Sequence, residues 1–160
     1  MTKKHFKITV LFLPLLFCTV FILSNSLKNG EQSRRDSDVI LEIVETVANK
    51  IVPNNNLNWN FIVRKSAHII EFFGLGVLAM LLFLQFKKKL WFSFISSLSY
   101  SVFVASCDEI IQRFTERTSS FTDVMIDTFG AISGICLILL MYYIFVMRRR
   151  ECGRSVKKQG

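Results

Sequence analysis

The residues of this 160-residue chain best suited to chemistry are ionisable groups that interrupt long apolar segments. His68, Asp108 and Asp127 fall in three different segments of this kind. A histidine and a carboxylate can act together as general acid and base, or can bind the polar end of a ligand. Together with Glu71 they also offer nitrogen and oxygen ligands for a metal, but the set holds only one histidine. No metal and no cofactor is therefore assigned from the sequence: a metal site is the third and least favoured interpretation, after binding and catalysis, and metal dependence stays open.

Helical periodicity places further polar residues beside these three. At 100° per residue, Arg64, His68 and Glu71 lie within about 60° of arc on one helix face. The predicted substrate-binding residues are Arg64, Lys65, His68, Glu71, Asp108, Glu109, Gln112, Arg117, Asp123 and Asp127. The catalytic candidates among them are His68, Asp108 and Asp127. A network of ion pairs that only holds helices together is the alternative interpretation, and Ser120-x-x-Asp123 also fits a helix capping box.

Small residues follow the same faces. Ser97 and Ser101 share a helix face with Asp108, which gives a polar stripe with no reason to contact lipid. Gly130 and Gly134 follow Asp127 at the spacing typical of closely packed membrane helices. We expect this motif to pack the fourth segment against the second and third. A homodimer interface is the competing use of the same glycines.

The elements that must position these residues are four apolar segments at about residues 6–24, 61–86, 90–114 and 121–147. The chain is 51% hydrophobic and 20% charged, with a mean hydropathy of +0.41. Each segment is close to or above the roughly 20 residues that cross a bilayer as a helix. The sequence predicts an all-α integral membrane four-helix bundle, with residues 1–160 forming a single domain. This composition excludes a disordered protein and argues against a soluble enzyme.

Basic residues indicate the orientation of the bundle. Twelve of the twenty Lys and Arg lie in the N-terminal residues, at 87–89 and at 148–158, whereas eleven of the twelve acids lie on the opposite side. Because cytoplasmic loops are rich in Lys and Arg, both termini are predicted to be cytoplasmic, with a basic cytoplasmic tail at 148–160. The net charge of +8 is spread over the ends of apolar segments, which argues against nucleic-acid binding.

The first segment has two interpretations. Its basic start and the Ser24-x-Ser26 sequence after it also fit a secretory signal peptide. The apolar stretch is longer than the 7 to 15 residues usual for a signal peptide, which favours a retained helix.

The external segment at about 25–60 is predicted to contain an amphipathic helix. Apolar residues recur there at helical spacing: Val39, Ile40, Ile43, Val44, Val47 and Ile51. Glu42 and Glu45 lie on the opposite face, and Pro53 ends the pattern. The helix is expected from about Asp36 to Val52, either on the outer membrane surface or packed as a cap on the bundle.

Helix geometry places the candidate site at one depth. At 1.5 Å per residue, His68 and Asp108 each lie about 28 Å above the cytoplasmic end of their segment, and Asp127 lies about 31 Å above. That level is the outer edge of a hydrocarbon core roughly 30 Å thick. Ionisable residues within membrane helices usually face the bundle interior and indicate function. We therefore expect the three residues to converge near the outer leaflet.

These residues also carry a family resemblance. The relevant motifs are Arg64-Lys65-x-x-His68-x-x-Glu71-Phe72-x-x-x-Gly76, Asp108-Glu109-x-x-Gln112-x-x-x-x-Arg117, Asp123-x-x-x-Asp127-x-x-Gly130-x-x-x-Gly134, Ser24-Asn25-Ser26 and Ser33-x-x-x-Ser37. Their order and spacing resemble the VanZ-like family of small polytopic membrane proteins. The resemblance implies a multi-pass protein of the bacterial cell membrane, associated in the member that names the family with low-level resistance to teicoplanin rather than vancomycin. It does not imply a reaction.

Two functions follow from the residues and the resemblance together. In the first, the polar cluster binds a lipid-linked or acylated molecule at the outer leaflet, so that the partners are membrane lipids and a lipid-linked cell-wall precursor or a lipoglycopeptide. In the second, the protein is an intramembrane enzyme that modifies a lipid-linked envelope substrate, using His68 with Asp108 or Asp127.

Overall fold

The computed structural model describes residues 3–28, 58–86, 89–115 and 120–158, together with scattered residues between 31 and 46. Its four principal helices are α1 (Lys3–Ser26), α2 (Trp59–Leu84), α3 (Leu90–Phe114) and α4 (Phe121–Lys158). The described parts of the chain contain no strand. The predicted all-α fold is confirmed.

All four helices are long and apolar enough to cross a membrane. The candidate spans are His5–Ser26, Phe61–Leu84, Leu90–Phe114 and Phe121–Arg149. They agree with the predicted segments to within a few residues, so the four-helix membrane protein is confirmed. The main difference is at the C-terminal end, where α4 continues to Lys158, through most of the predicted basic tail. Pro14 lies inside α1, where a membrane helix tolerates it.

The predicted amphipathic helix between α1 and α2 falls mostly outside the described residues. Residues 40–44 are helical, and Ile40 and Ile43 are exposed. The rest of the stretch from Asp36 to Val52 is described only in part. The external helix and its place on the membrane surface stay predictions.

The bundle is organised around α2, which contacts each of the other three helices. Phe72 and Leu75 of α2 are fully buried, and Val104 of α3 and Ile22 of α1 lie in the same apolar core cluster. Outward-facing side chains are mostly large and apolar, as in Phe114, which is 85% exposed. Such a surface suits contact with lipid chains and would be unfavourable in water.

The buried face of α3 is mostly polar, apart from Val104 and Ala105 in the apolar core. Ser93, Ser97 and Ser101 are fully buried, and Asp108 and Gln112 continue the same face. Each serine hydroxyl has an acceptor; that of Ser97, for example, donates to the Ser93 carbonyl oxygen at 2.7 Å. The polar stripe faces the bundle interior, as its shared helical face predicts.

Three glycines allow α2 and α4 to approach closely. A Cβ added to Gly130 would lie 2.6 Å from the Ile69 carbonyl oxygen, and one added to Gly76 or Gly134 would lie closer still to backbone of the facing helix. Because a side chain cannot fit there, these positions require glycine. The surface formed by Gly130 and Gly134 is covered by α2 of the same chain.

The capping box considered for Ser120 and Asp123 is not formed at the start of α4. The Ser120 hydroxyl accepts from the Thr122 N–H at 3.2 Å, whereas the Ser120 N–H donates to Glu109 Oε2 at 3.1 Å. Asp123 forms an ion pair with Lys65 of α2. The Ser120 hydroxyl still caps the helix locally, but the Ser120 N–H and the Asp123 carboxylate have long-range partners on α3 and α2 in place of each other.

Candidate functional site

His68, Asp108 and Asp127 meet near the end of the bundle formed by the C-terminus of α3 and the N-terminus of α4. His68 Nδ1 lies 3.6 Å from Asp127 Oδ1 and 4.0 Å from Asp108 Oδ2. One ligand atom from each residue lies within 4.8 Å of those from the other two. We call these three residues the His–Asp–Asp cluster. The structure thus brings together the three residues that the sequence placed at one depth.

Asp108 is the most firmly held member of the cluster. Its side chain is fully buried, and it accepts a hydrogen bond from the Ser26 hydroxyl at the end of α1. Gln112, one turn later on α3, donates to Asp108 Oδ2 at 2.6 Å. A buried carboxylate with two donors has a fixed orientation, which suits a residue that must present one oxygen to a partner.

Asp127 is held less completely. Its side chain is 2% exposed, and among the described residues its Oδ2 atom has no hydrogen-bond partner. Asp108, Glu109 and Asp123 lie close enough to Asp127 to repel its negative charge. Glu109 is also buried, and its Oε1 lacks a partner within the same described set. Within the described bundle, the site therefore contains two buried carboxylate oxygens that accept no hydrogen bond.

An ion pair lies one helical turn outward from the cluster. Lys65 of α2 pairs with Asp123 of α4, and both side chains are about four-fifths buried. The Lys65 ammonium also lies 5.4 Å from the centre of the Phe61 ring. Arg64 is half-buried beside Lys65. Two of the predicted basic residues thus lie next to the cluster, and one of them already has an acidic partner.

Glu71 connects the site to α1. Its Oε1 accepts a hydrogen bond from Asn25 Nδ2 at 3.2 Å. Glu71 lies one turn after His68, closer to the middle of α2. It does not lie in the three-residue group that could hold a metal. Glu71 therefore links α1 to the helical turn that follows His68.

Two of the remaining predicted residues are buried beside the cluster. Gln112 donates to Asp108, and Glu109 accepts from the Ser120 N–H just before α4. Arg117 lies outside the described residues, so its part in the site stays a prediction. Arg113, a further basic residue, is exposed at the end of α3.

The contribution of α1 was missed by the sequence reasoning. Ser26 donates to Asp108, its carbonyl oxygen accepts from the Thr115 hydroxyl at 3.2 Å, and Asn25 donates to Glu71. A signal was present, because Ser24-Asn25-Ser26 is a polar run directly after an apolar segment. That run contributed to the family resemblance but was not assigned to the site.

This arrangement can perform two kinds of chemistry. A histidine with two carboxylates near its Nδ1 atom can take part in proton exchange with a bound molecule. Buried carboxylate oxygens with no partner can also accept hydrogen bonds from a ligand or bind a cation. Both uses need access from outside, and the His68 side chain is 22% exposed.

Comparison with known proteins agrees with the fold and the motifs. No curated protein and no solved structure matches the chain significantly. A family model described as VanZ/LLP1 matches residues 9–156, nearly the whole chain. That range includes the four candidate spans almost completely and every residue of the His–Asp–Asp cluster. The chain is therefore a multi-pass membrane protein that belongs to the VanZ/LLP1 family.

Proposed function

We propose that this protein acts in the bacterial cell envelope by binding the polar end of a lipid-linked or acylated molecule at the outer leaflet, and that it thereby lowers susceptibility to teicoplanin-type glycopeptides. The observation that carries the proposal is the His–Asp–Asp cluster, in which three helices contribute buried ionisable groups to one place. Family membership supports the envelope setting.

The cluster is poorly suited to a purely structural role. A network that only holds helices together would pair each buried acid, since an unsatisfied buried charge is costly in a membrane. Lys65 and Asp123 follow that rule. Asp127 Oδ2 and Glu109 Oε1 depart from it within the described part of the chain. Their unused oxygens favour a site that an external molecule completes.

The proposed orientation places this site at the outer leaflet. The excess of Lys and Arg at one side of the bundle supports cytoplasmic termini, which puts the ends of α1 and α3 and the start of α4 outside. A molecule anchored by an acyl chain would already lie in that leaflet, so its polar end would reach the cluster by lateral diffusion.

The charges suggest how the ligand would bind. Arg64, one helical turn before His68, and the exposed Arg113, at the end of α3, could hold a phosphate or carboxylate, which arginine binds through two parallel hydrogen bonds. The carboxylates of Asp108 and Asp127 would accept hydrogen bonds from hydroxyl or amine groups of the same headgroup. Arg117 would join the basic rim.

The test compares two antibiotics in one host. Teicoplanin carries an acyl chain and vancomycin does not, although both recognise the same wall peptide. Expression of the chain in a susceptible Gram-positive host should lower susceptibility to teicoplanin more than to vancomycin. His68→Ala and Asp127→Asn should remove this difference while membrane abundance, measured by immunoblot, stays near the wild-type level.

Ser133→Ala is the matched control on α4, because the Ser133 hydroxyl bonds the Phe129 carbonyl oxygen of its own helix at 2.9 Å. This variant should protect as the wild type does. Equal protection against both antibiotics, or protection that survives His68→Ala, would contradict the binding proposal. Loss of His68→Ala and Asp127→Asn from the membrane, with Ser133→Ala still present, would instead indicate that the cluster holds the helices together.

An intramembrane enzyme is the second candidate, favoured by the arrangement around His68. Its Nδ1 faces both Asp108 and Asp127, and Asp108 is oriented by Ser26 and Gln112, as a general acid–base pair requires. An enzyme that modified a wall precursor would change the precursor pool and shift susceptibility to both antibiotics. Mass spectrometry of lipid-linked precursors from expressing and control cells distinguishes the two functions.

A further inference from the structure

The donor atoms of the His–Asp–Asp cluster have the spacing of a metal site. His68 Nδ1 lies 3.6 Å from Asp127 Oδ1 and 4.0 Å from Asp108 Oδ2. Zinc-to-ligand bonds of about 2.0 to 2.2 Å at tetrahedral angles put neighbouring donors about 3.4 Å apart. All three donor atoms lie within 4.8 Å of one another, so side-chain rotations that move each donor by up to about 0.7 Å would close the cluster around one ion.

The local charge also favours a cation. Asp108, Glu109 and Asp123 lie near Asp127, and Lys65 is a basic group close enough to offset part of their charge. Because Lys65 is paired with Asp123, the deeper carboxylates keep a negative excess. Buried charges in proteins are normally paired or bound to metal ions.

An independent observation points the same way. Asp127 Oδ2 and Glu109 Oε1 are buried, and neither has a hydrogen-bond partner among the described residues. Asp127 is 2% exposed, so water does not satisfy its oxygen freely. A cation at the cluster would complete the coordination of the Asp127 carboxylate and would lie near the unused oxygen of Glu109.

The groups behind the cluster resemble the support that metal ligands usually have. Carboxylates that bind metals are themselves held by hydrogen bonds from outer residues. Asp108 has two such donors, the Ser26 hydroxyl and the Gln112 amide. The partial exposure of His68 leaves an entry on one side.

We infer that His68, Asp108 and Asp127 together bind one divalent transition-metal cation of the class of Zn²⁺ or Mn²⁺. Imidazole with carboxylates suits these ions better than Mg²⁺ or Ca²⁺, which prefer oxygen ligands alone. No metal was assigned from the sequence because this set contains a single histidine. In the structure, two carboxylates lie within 4.0 Å of that histidine's Nδ1. Three protein ligands leave a position open for a water molecule or for an oxygen of a bound headgroup.

The test measures metal binding directly on the full chain. The protein is purified in detergent micelles, treated with EDTA and dialysed, and then titrated with ZnCl₂ by calorimetry and with MnCl₂ by electron paramagnetic resonance. We expect saturable binding of one ion per chain. Asp127→Asn, which keeps the side-chain volume, should weaken the affinity at least about 10-fold.

Two controls keep the inference falsifiable. Glu42→Gln removes one exposed acid and should leave the affinity unchanged. Ser26→Ala should weaken binding about 10-fold by freeing Asp108, whereas Ser24→Ala should not, because the Ser24 hydroxyl bonds the Phe21 carbonyl oxygen of its own helix. Absent or unsaturable binding, or equal affinity in wild type and Asp127→Asn, would overturn the metal site.

This inference stands apart from the proposed function. The titration contains no antibiotic and no lipid-linked molecule, so a failed susceptibility test leaves the metal result unaffected. Conversely, loss of metal binding would not remove an outer-leaflet binding site built from the same side chains. A variant pair such as Ser26→Ala and Ser24→Ala, tested in both assays, shows whether the two properties are linked.

Discussion

Substitution of Gly130 by alanine tests how closely α2 and α4 must pack. A Cβ at this position would lie 2.6 Å from the Ile69 carbonyl oxygen and 3.2 Å from the Ile69 Cα. Ordinary contacts begin at 3.4 Å, so the two helices must separate by about 0.8 Å or distort locally. Both atoms at Ile69 are backbone, and no side chain can rotate away to make room.

The size of the effect follows from two opposing terms. Overpacking of this kind costs about 1 to 3 kcal/mol, whereas alanine is favoured over glycine within a helix by about 0.8 to 1.0 kcal/mol. Gly74→Ala isolates the second term, because nothing lies within 4 Å of a Cβ added at Gly74. We expect Gly130→Ala to be less stable than Gly74→Ala by about 1 to 3 kcal/mol.

The assay is thermal unfolding of each variant in the same detergent, followed by fluorescence-detected size exclusion. Gly74→Ala should melt at or slightly above the wild-type temperature, and Gly130→Ala should melt below it. Equal melting temperatures for the two variants would refute the close α2–α4 packing. If Gly130→Ala instead abolished cross-linking between two chains without changing the melting temperature, the glycine surface would belong to a homodimer.

Two further predictions concern orientation and the rim of the site. Reporter fusions after Lys89 and at the C-terminus should behave as cytoplasmic and one at Asn55 as external, since basic residues mark the cytoplasmic side. A cytoplasmic reporter at Asn55 would show that the orientation is the opposite of the predicted one. Lys65→Met should lower the melting temperature because it leaves Asp123 partly buried without its cation, at a cost of about 1 to 3 kcal/mol. Adding Asp123→Leu should restore most of that loss, and a double variant no better than the single one would show that the pair is not coupled.

The four membrane spans could be predicted because span length and hydropathy are local properties of the sequence. The convergence of His68, Asp108 and Asp127 could also be predicted, since the rise per residue fixes the depth of each group on its own helix. These arguments require no knowledge of how the helices are rotated. They succeed because each segment crosses the same bilayer.

The choice of partners across helices could not be predicted in the same way. Ser26 donates to Asp108 and Asn25 to Glu71, and both contacts depend on the rotation of α1 about its own axis. The capping box at Ser120 was misleading for a related reason. In a capping box the Ser120 N–H would donate to the Asp123 side chain, but here it donates to Glu109 of α3.

Packing and chemistry in this bundle depend on the same contact. Gly130 lies one turn from Asp127, so the close approach of α4 to Ile69 of α2 also holds Asp127 beside His68. The His68 Nδ1–Asp127 Oδ1 separation of 3.6 Å is already longer than a hydrogen bond, and a displacement of about 0.8 Å at Gly130 would lengthen it further and oppose binding of a shared ion. Substitutions that change volume on this face will therefore impair the site and the fold together. Replacement of an aspartate by asparagine alters charge with little change in shape. Such a substitution therefore impairs the site while it leaves the packing of the fold intact.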